Sequence, residues 1–198
     1  MNVSKTDKPS VLAIIPARGG SKGVKLKNLR TIGGISLVGR AILAARSATT
    51  VSEVVVSTDH EQIKAEALAY GATVISRPAD IAGDTASSEA VLLDVLSKVS
   101  DTPDITLFIQ CTSPLIDPAD LDAAVASVRD GEAEVSFAAV ADHGFHWTAD
   151  SAGFAVSSGH DAANRPRRQD REARWLETGA FYAMNTEGFR AAEHRFFG

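Results

Sequence analysis

The chain has 198 residues, 44% apolar, 23% charged and 6% aromatic, with a formal net charge of −5. That suits one globular domain able to bury a core, and it excludes a disordered tail or a fibrous repeat. The longest purely apolar runs, such as Val11 to Ile15, are five residues and far short of a membrane span, and MNVSKTDKPS has no apolar signal-peptide core, so a soluble cytoplasmic protein is expected. The single cysteine, Cys111, cannot form an intrachain disulfide, and the five histidines show no zinc spacing.

The predicted elements alternate. Val11 to Ile15 reads as a buried parallel strand, followed by a Gly/Lys-rich loop and an amphipathic helix over Leu37 to Ala48. Strands are predicted over Val54 to Val56, Thr73 to Ile75 and Ile105 to Ile109, and helices over His60 to Ala69, Ser87 to Val99 and Pro118 to Val128. This rhythm predicts an α/β fold, a mostly parallel sheet with helices on both faces, and places functional residues in loops beyond the carboxyl ends of the strands. After a strand over Val135 to Val140 the rhythm breaks. Residues 141 to 177 are polar and end Arg-rich, as an inserted arm would, before a last strand over Gly179 to Ala183.

Charge is unevenly spread. Residues 8 to 52 hold eight Lys/Arg and no Asp or Glu, while the rest of the chain carries a net −13. An acidic chain that concentrates its cations in one stretch is suited to a small anion such as a nucleotide; a nucleic-acid backbone wants a broad basic face. Neither nucleic acid nor membrane is expected as a partner.

The loop Pro16 to Asn28 brings adjacent glycines, Ser21 and the cations Arg18, Lys22, Lys25 and Lys27, with Arg30 behind, to the end of the first strand. Glycine lets backbone N–H groups approach phosphate oxygens, and the cations neutralise charge on a transferring phosphoryl group. Neither G-x-x-x-x-G-K-[ST] nor G-x-G-x-x-G is present, which weakens ATPase and NAD-dehydrogenase readings. A second loop offers Arg77 beside Pro78, then Asp80, Asp84 and Ser87-Ser88, where either serine can cap a helix and the helix start can bind an anion. A third, Gln110-Cys-Thr-Ser-Pro114, has amide and hydroxyl groups for a polyhydroxylated ligand or simply turns the chain. Five arginines crowd residues 165 to 174, suited to phosphate or carboxylate or to a solvated face. His143 and His146, near Trp147, read as packing or capping residues of the arm. The only D-x-D, Asp120-Leu-Asp122, sits where i and i+2 side chains diverge on a helix, so its acids read as helix-start residues and not metal ligands.

In order, PARGGSKGVKLKN, GGISLVG, VSTD, RPADIAGDTASS, QCTSP, RPRRQD and ETGAFY resemble the N-acylneuraminate cytidylyltransferases, over about residues 11 to 198 and with QCTSP and RPRRQD closest to the animal type. The resemblance implies a Rossmann-like nucleotidyltransferase domain, a homodimer formed through the arm of residues 141 to 177, and transfer of CMP from CTP to the anomeric hydroxyl of sialic acid with release of pyrophosphate and use of Mg²⁺. Position by position, it assigns Arg18, Lys22 and Lys27 to a catalytic triphosphate clamp, and Arg18, Ser21, Asn28, Arg77 and Ser88 to the nucleotide. Gln110, Arg167, Gln169, Tyr182, Phe196 and Phe197 fall to the sugar.

The family's aspartate pair, in a segment like I-D-I-D, lies downstream of GAFY. The metal ligands are therefore expected beyond Gly198, together with the end of the family domain, and the chain is expected to be truncated. Ile116 stands where some bacterial relatives have arginine. Two alternatives accompany this reading: a cytidylyltransferase for another ulosonic acid (legionaminic, pseudaminic or keto-deoxy-octulosonic), and a CTP-binding module or inactive paralogue lacking the aspartates.

Overall fold

The computed structural model describes residues 9–83 and 85–198. The N-terminal stretch and Asp84 lie outside the described residues. In chain order the elements are β1 (Val11–Pro16), the short pair β2 (Thr31–Ile32) and β3 (Ile35–Ser36), α1 (Leu37–Ser47), β4 (Glu53–Thr58), α2 (Glu61–Ala69), β5 (Thr73–Ser76), α3 (Ser88–Lys98), β6 (Ile105–Ile109), α4 (Pro118–Arg129), β7 (Val135–Asp142), β8 (His146–Ala149), β9 (Ala155–Ser158), β10 (Arg174–Asn185) and α5 (Thr186–Ala192).

Six strands form one sheet in the order β5-β4-β1-β6-β10-β7. β1 runs parallel to both neighbours, with Ile14 opposite Val55 and Phe108. β5 is parallel to β4, whereas β10 runs antiparallel to β6, with Tyr182 opposite Phe108. The expected α/β fold with a mostly parallel sheet is what the chain adopts.

The all-apolar strands are explained by burial on both faces. Ala13, Ile15, Val54, Val56 and Leu107 pack with Val38 and Ile42 of α1, Ile63 of α2 and Leu121 of α4. The alternate residues Leu12, Ile14, Val55, Phe108, Tyr182 and Met184 pack with Leu92, Val95 and Leu96 of α3 and Phe189 of α5. Each helix start has a side-chain cap: Ser36, His60, Ser87, Asp117 and Asn185 accept from a backbone N–H two or three residues on. Ser87 is thus the cap of α3, which leaves Ser88 in the first turn.

The D-x-D pair divides as i and i+2 positions should. Asp120 is in the first turn of α4, while Asp122 accepts from the backbone N–H and hydroxyl of both Thr49 and Thr50, at 2.7–3.0 Å. Burial works against the Asp122 carboxylate, but those hydrogen bonds outweigh it and hold its pKa below the ordinary value.

Contacts divide the chain into one unit of residues 1–138 and 179–198 and a second of residues 139–178. Within the second, β8 and β9 form an antiparallel hairpin whose turn is tied by Asp150 accepting from the N–H groups of Ala152 and Phe154. Arg165 and Arg171 each lie 4.3 Å from the centre of the Phe145 ring. His160 meets Phe145 and Trp147 edge-on, and His146 pairs with Asp142, so these histidines pack and tie the unit. Among the described residues, no helix is long and apolar enough to cross a membrane.

Candidate active site

At the carboxyl ends of β1 and β6 lies a cleft of about 470 Å³. The loop after β1 contributes Arg18, Ser21, Lys22, Lys27 and Asn28 to its lining, and the segment between β5 and α3 contributes Arg77, Ser87 and Ser88. Gln110 and Thr112 enter from the end of β6, and Phe108 and Val91 form an apolar floor. Eight residues singled out from sequence therefore share one concavity.

The first loop is held by the neighbouring strand end. Gly19 donates its N–H to Asp59 Oδ1 at 2.8 Å, and a β-carbon at Gly19 would stand 2.6 Å from the His60 ring, so close approach requires glycine there. Asp59 belongs to the VSTD motif, whose role the sequence reading left open. Asn28, buried, donates from Nδ2 to the Arg18 carbonyl at 3.0 Å, which fixes the loop as well as lining the cleft. Arg18 Nη1 donates to the Gly83 carbonyl at 2.9 Å and so joins the first loop to the second. Leu26 takes φ +50°, a left-handed conformation that costs a non-glycine residue about 1 kcal/mol, immediately before Lys27.

Arg77 is buried, with Nη2 donating to the Ser57 carbonyl at 2.7 Å and Nε to the Ser57 hydroxyl at 3.3 Å. Burial pulls its pKa below the ordinary guanidinium value, with Asp59 acting against that shift. Cys111 is buried beneath the loop, and burial pushes its thiol up to about 12, so it is a protonated packing group rather than a nucleophile.

Five predicted positions lie elsewhere. Tyr182 is 1% exposed and stacks on Phe108 with ring centres 5.5 Å apart. Its pairing opposite Phe108 puts it in the core, where it supports the Phe108 floor of the cleft. Phe196 packs edge-on against Phe137 and Tyr182, and Phe197 packs against the same core cluster as Tyr182. Arg167 and Gln169 are exposed in the second unit, where Arg167 Nε donates to Asp170.

The described cleft residues offer cations, hydroxyls, an amide and the first turn of α3, a set suited to binding a polyanion and stabilising charge in transfer. They include no Asp or Glu, and among the described residues no cluster of three or more His, Cys, Asp or Glu could hold a metal. Magnesium wants one or two carboxylates besides phosphate oxygens, so the described residues do not fit that ion.

Residues 12–175 match the family model described as cytidylyltransferase. The chain is 37% identical over 180 residues to N-acylneuraminate cytidylyltransferase A of Danio rerio, covering 89% of this chain and 42% of that protein. It is 40% identical over 119 residues to CMP-N,N'-diacetyllegionaminic acid synthase of Legionella pneumophila, covering 58% and 51% respectively. A solved structure of CMP:2-keto-3-deoxy-manno-octonic acid synthetase complexed with CTP superposes with a TM-score of 0.70 at 23% identity, over 92% of this chain and 77% of that one, a likeness of fold. The chain spans about two fifths of the length of the Danio relative. With a family match over most of its length and a cationic cleft at its strand ends, this chain belongs to the cytidylyltransferase family.

Proposed function

We propose that the protein transfers CMP from CTP to the anomeric hydroxyl of an N-acylneuraminic acid. The observation that carries this reading is the convergence of Arg18, Lys22, Lys27 and Arg77 on one cleft whose described lining has no acidic residue. The hydroxyl oxygen attacks the α-phosphorus, the bond from that phosphorus to the bridging oxygen breaks, and the hydroxyl proton passes to solvent as pyrophosphate leaves. Arg18, Lys22 and Lys27 hold the triphosphate and offset charge on the leaving group, while Ser21, Asn28, Arg77 and Ser88 orient the nucleotide. Gln110 takes the sugar, with Phe196 and Phe197 contributing to its site and Tyr182 supporting it from below, while Arg167 and Gln169 are assigned to the sugar by the family resemblance alone. The likeness to the Danio protein favours sialic acid; the likeness to the Legionella protein favours legionaminic acid as the second reading.

The reading extends to a cytoplasmic homodimer formed through the arm, supported by the exposed Trp147, Phe154, Trp175 and Leu176 of residues 139–178. The test is pyrophosphate release from CTP with N-acetylneuraminic, legionaminic, pseudaminic and keto-deoxy-octulosonic acids, with Mg²⁺ and then with EDTA. Release that requires N-acetylneuraminic acid is expected, and the EDTA arm shows whether a metal brought with CTP takes part. Release with legionaminic acid alone selects the second reading, and CTP binding without release from any acceptor contradicts both.

A further inference from the structure

Beside the cleft, one ion pair joins residues 106 apart: Arg195 Nε donates to Glu89 Oε1 at 2.7 Å, and both side chains are more than four-fifths covered. The same guanidinium lies 5.2 Å from the centre of the Phe108 ring and 4.9 Å from that of Tyr182. These partners frame the cleft. Phe108 is its floor, Tyr182 supports Phe108, and Glu89 follows Ser88 in the first turn of α3.

The chain is bent to make this contact. Glu193, just past α5, takes φ +52° and donates its N–H to the Phe189 carbonyl, a left-handed cap that usually falls to glycine. Phe196 then packs edge-on against Phe137 and Tyr182. Exposed ion pairs are worth little, but a covered pair behaves differently: removing one partner strands the other charge out of water. A stranded Glu89 carboxylate would stand one residue from the cleft lining, opposing an anionic ligand; a stranded Arg195 would favour one.

We propose that Arg195 is a positioning residue for the nucleotide cleft: it neutralises Glu89 and braces the Phe108–Tyr182 floor, so that the first turn of α3 meets the triphosphate without an opposing charge. The proposal rests on the nucleotide reading above.

It is tested in the full chain by titrating CTP into the parent, Arg195→Met, Glu89→Gln and the double variant, with amide NMR shifts of Ser88 and Gln110 as a ligand-independent readout. Arg195→Met is expected to weaken CTP binding about tenfold, and adding Glu89→Gln to restore it to within about threefold of the parent. Glu89→Gln alone is expected to leave affinity unchanged or to tighten it. A simple loss of packing would give no such rescue.

The proposal is overturned by an Arg195→Met affinity within twofold of the parent, by a double variant no better than the single, or by Glu89→Gln weakening CTP binding more than twofold. Glu89→Gln decides the sign even where Arg195→Met fails to fold. A parent that does not bind CTP overturns the nucleotide reading instead. The amides then decide: Ser88 and Gln110 shifts displaced by Arg195→Met and returned by the second substitution support the brace, and unmoved amides overturn it.

Discussion

Five cations crowd each of two stretches, residues 18 to 30 and residues 165 to 174, and the two are ordered by opposite means. The first is tied to the end of β4 and to the loop before α3: Ala17 to the Ser57 carbonyl, Gly19 to Asp59, Arg18 to the Gly83 carbonyl, with Asn28 closing the loop on the Arg18 carbonyl. The second answers its charge locally, with Arg167 on Asp170, Arg165 and Arg171 against Phe145, and Arg174 on the Gly159 carbonyl. No residue of 139–178 is fully buried. Cations hung from a core strand keep a fixed geometry toward a ligand, whereas cations settled by partners within their own unit leave the apolar side chains around them for a partner to cover.

The fastened loop is most sensitive to Lys27→Ala. Removing a cation from the triphosphate clamp is expected to cost about 2–4 kcal/mol in the transition state, read as a 30- to 1000-fold fall in kcat for pyrophosphate release. Unchanged kinetics would refute the clamp.

Replacing residues 141 to 177 by a short turn tests the other region. Sedimentation is expected to show the parent as a dimer and the shortened chain as a monomer; a dimer that survives the deletion rejects the arm as the contact.

Next comes Gly19→Ala, which places a methyl carbon against the His60 ring. Overpacking at a fastened loop is expected to cost about 1–3 kcal/mol in thermal unfolding and to weaken CTP affinity, whereas Gly20→Ala, with open space around it, is expected to do neither.

The smallest effect belongs to Asp122→Asn. Replacing one of the two acceptor oxygens that Thr49 and Thr50 use by an NH2 donor is expected to cost about 1–2 kcal/mol with activity retained. Because the folded carboxyl has the lower pKa, its stabilisation is present above the ordinary aspartate range and is lost as pH falls through the folded value. The parent is therefore expected to lose more stability than the variant on acidification below about pH 4.

Much of this architecture was legible in the sequence, for identifiable reasons. β6 matches its predicted bounds because strands buried on both faces are apolar at every position, and the cationic loop stood out because no acid interrupts it. The β2–β3 hairpin went unread although Gly33 and Gly34, both at positive φ, carry the sign of a tight turn. β10 starts five residues before its predicted start because Arg174 to Thr178 are exposed, so no alternation of buried and polar positions marks them as strand. α5, seven residues interrupted by Gly188, has too short an apolar period to detect. The Glu89–Arg195 pair has no local signal at all, since only the folded sheet brings its halves together.

On this reading the cleft at the ends of β1 and β6 binds CTP through the cations of the first loop. Calorimetric titration of CTP into the parent and into Lys27→Ala tests it most directly. Saturable one-site binding in the parent, weakened at least tenfold by Lys27→Ala while the fold is retained, is the result predicted. Absence of saturable binding in the parent, or equal affinity in the two proteins, would contradict it.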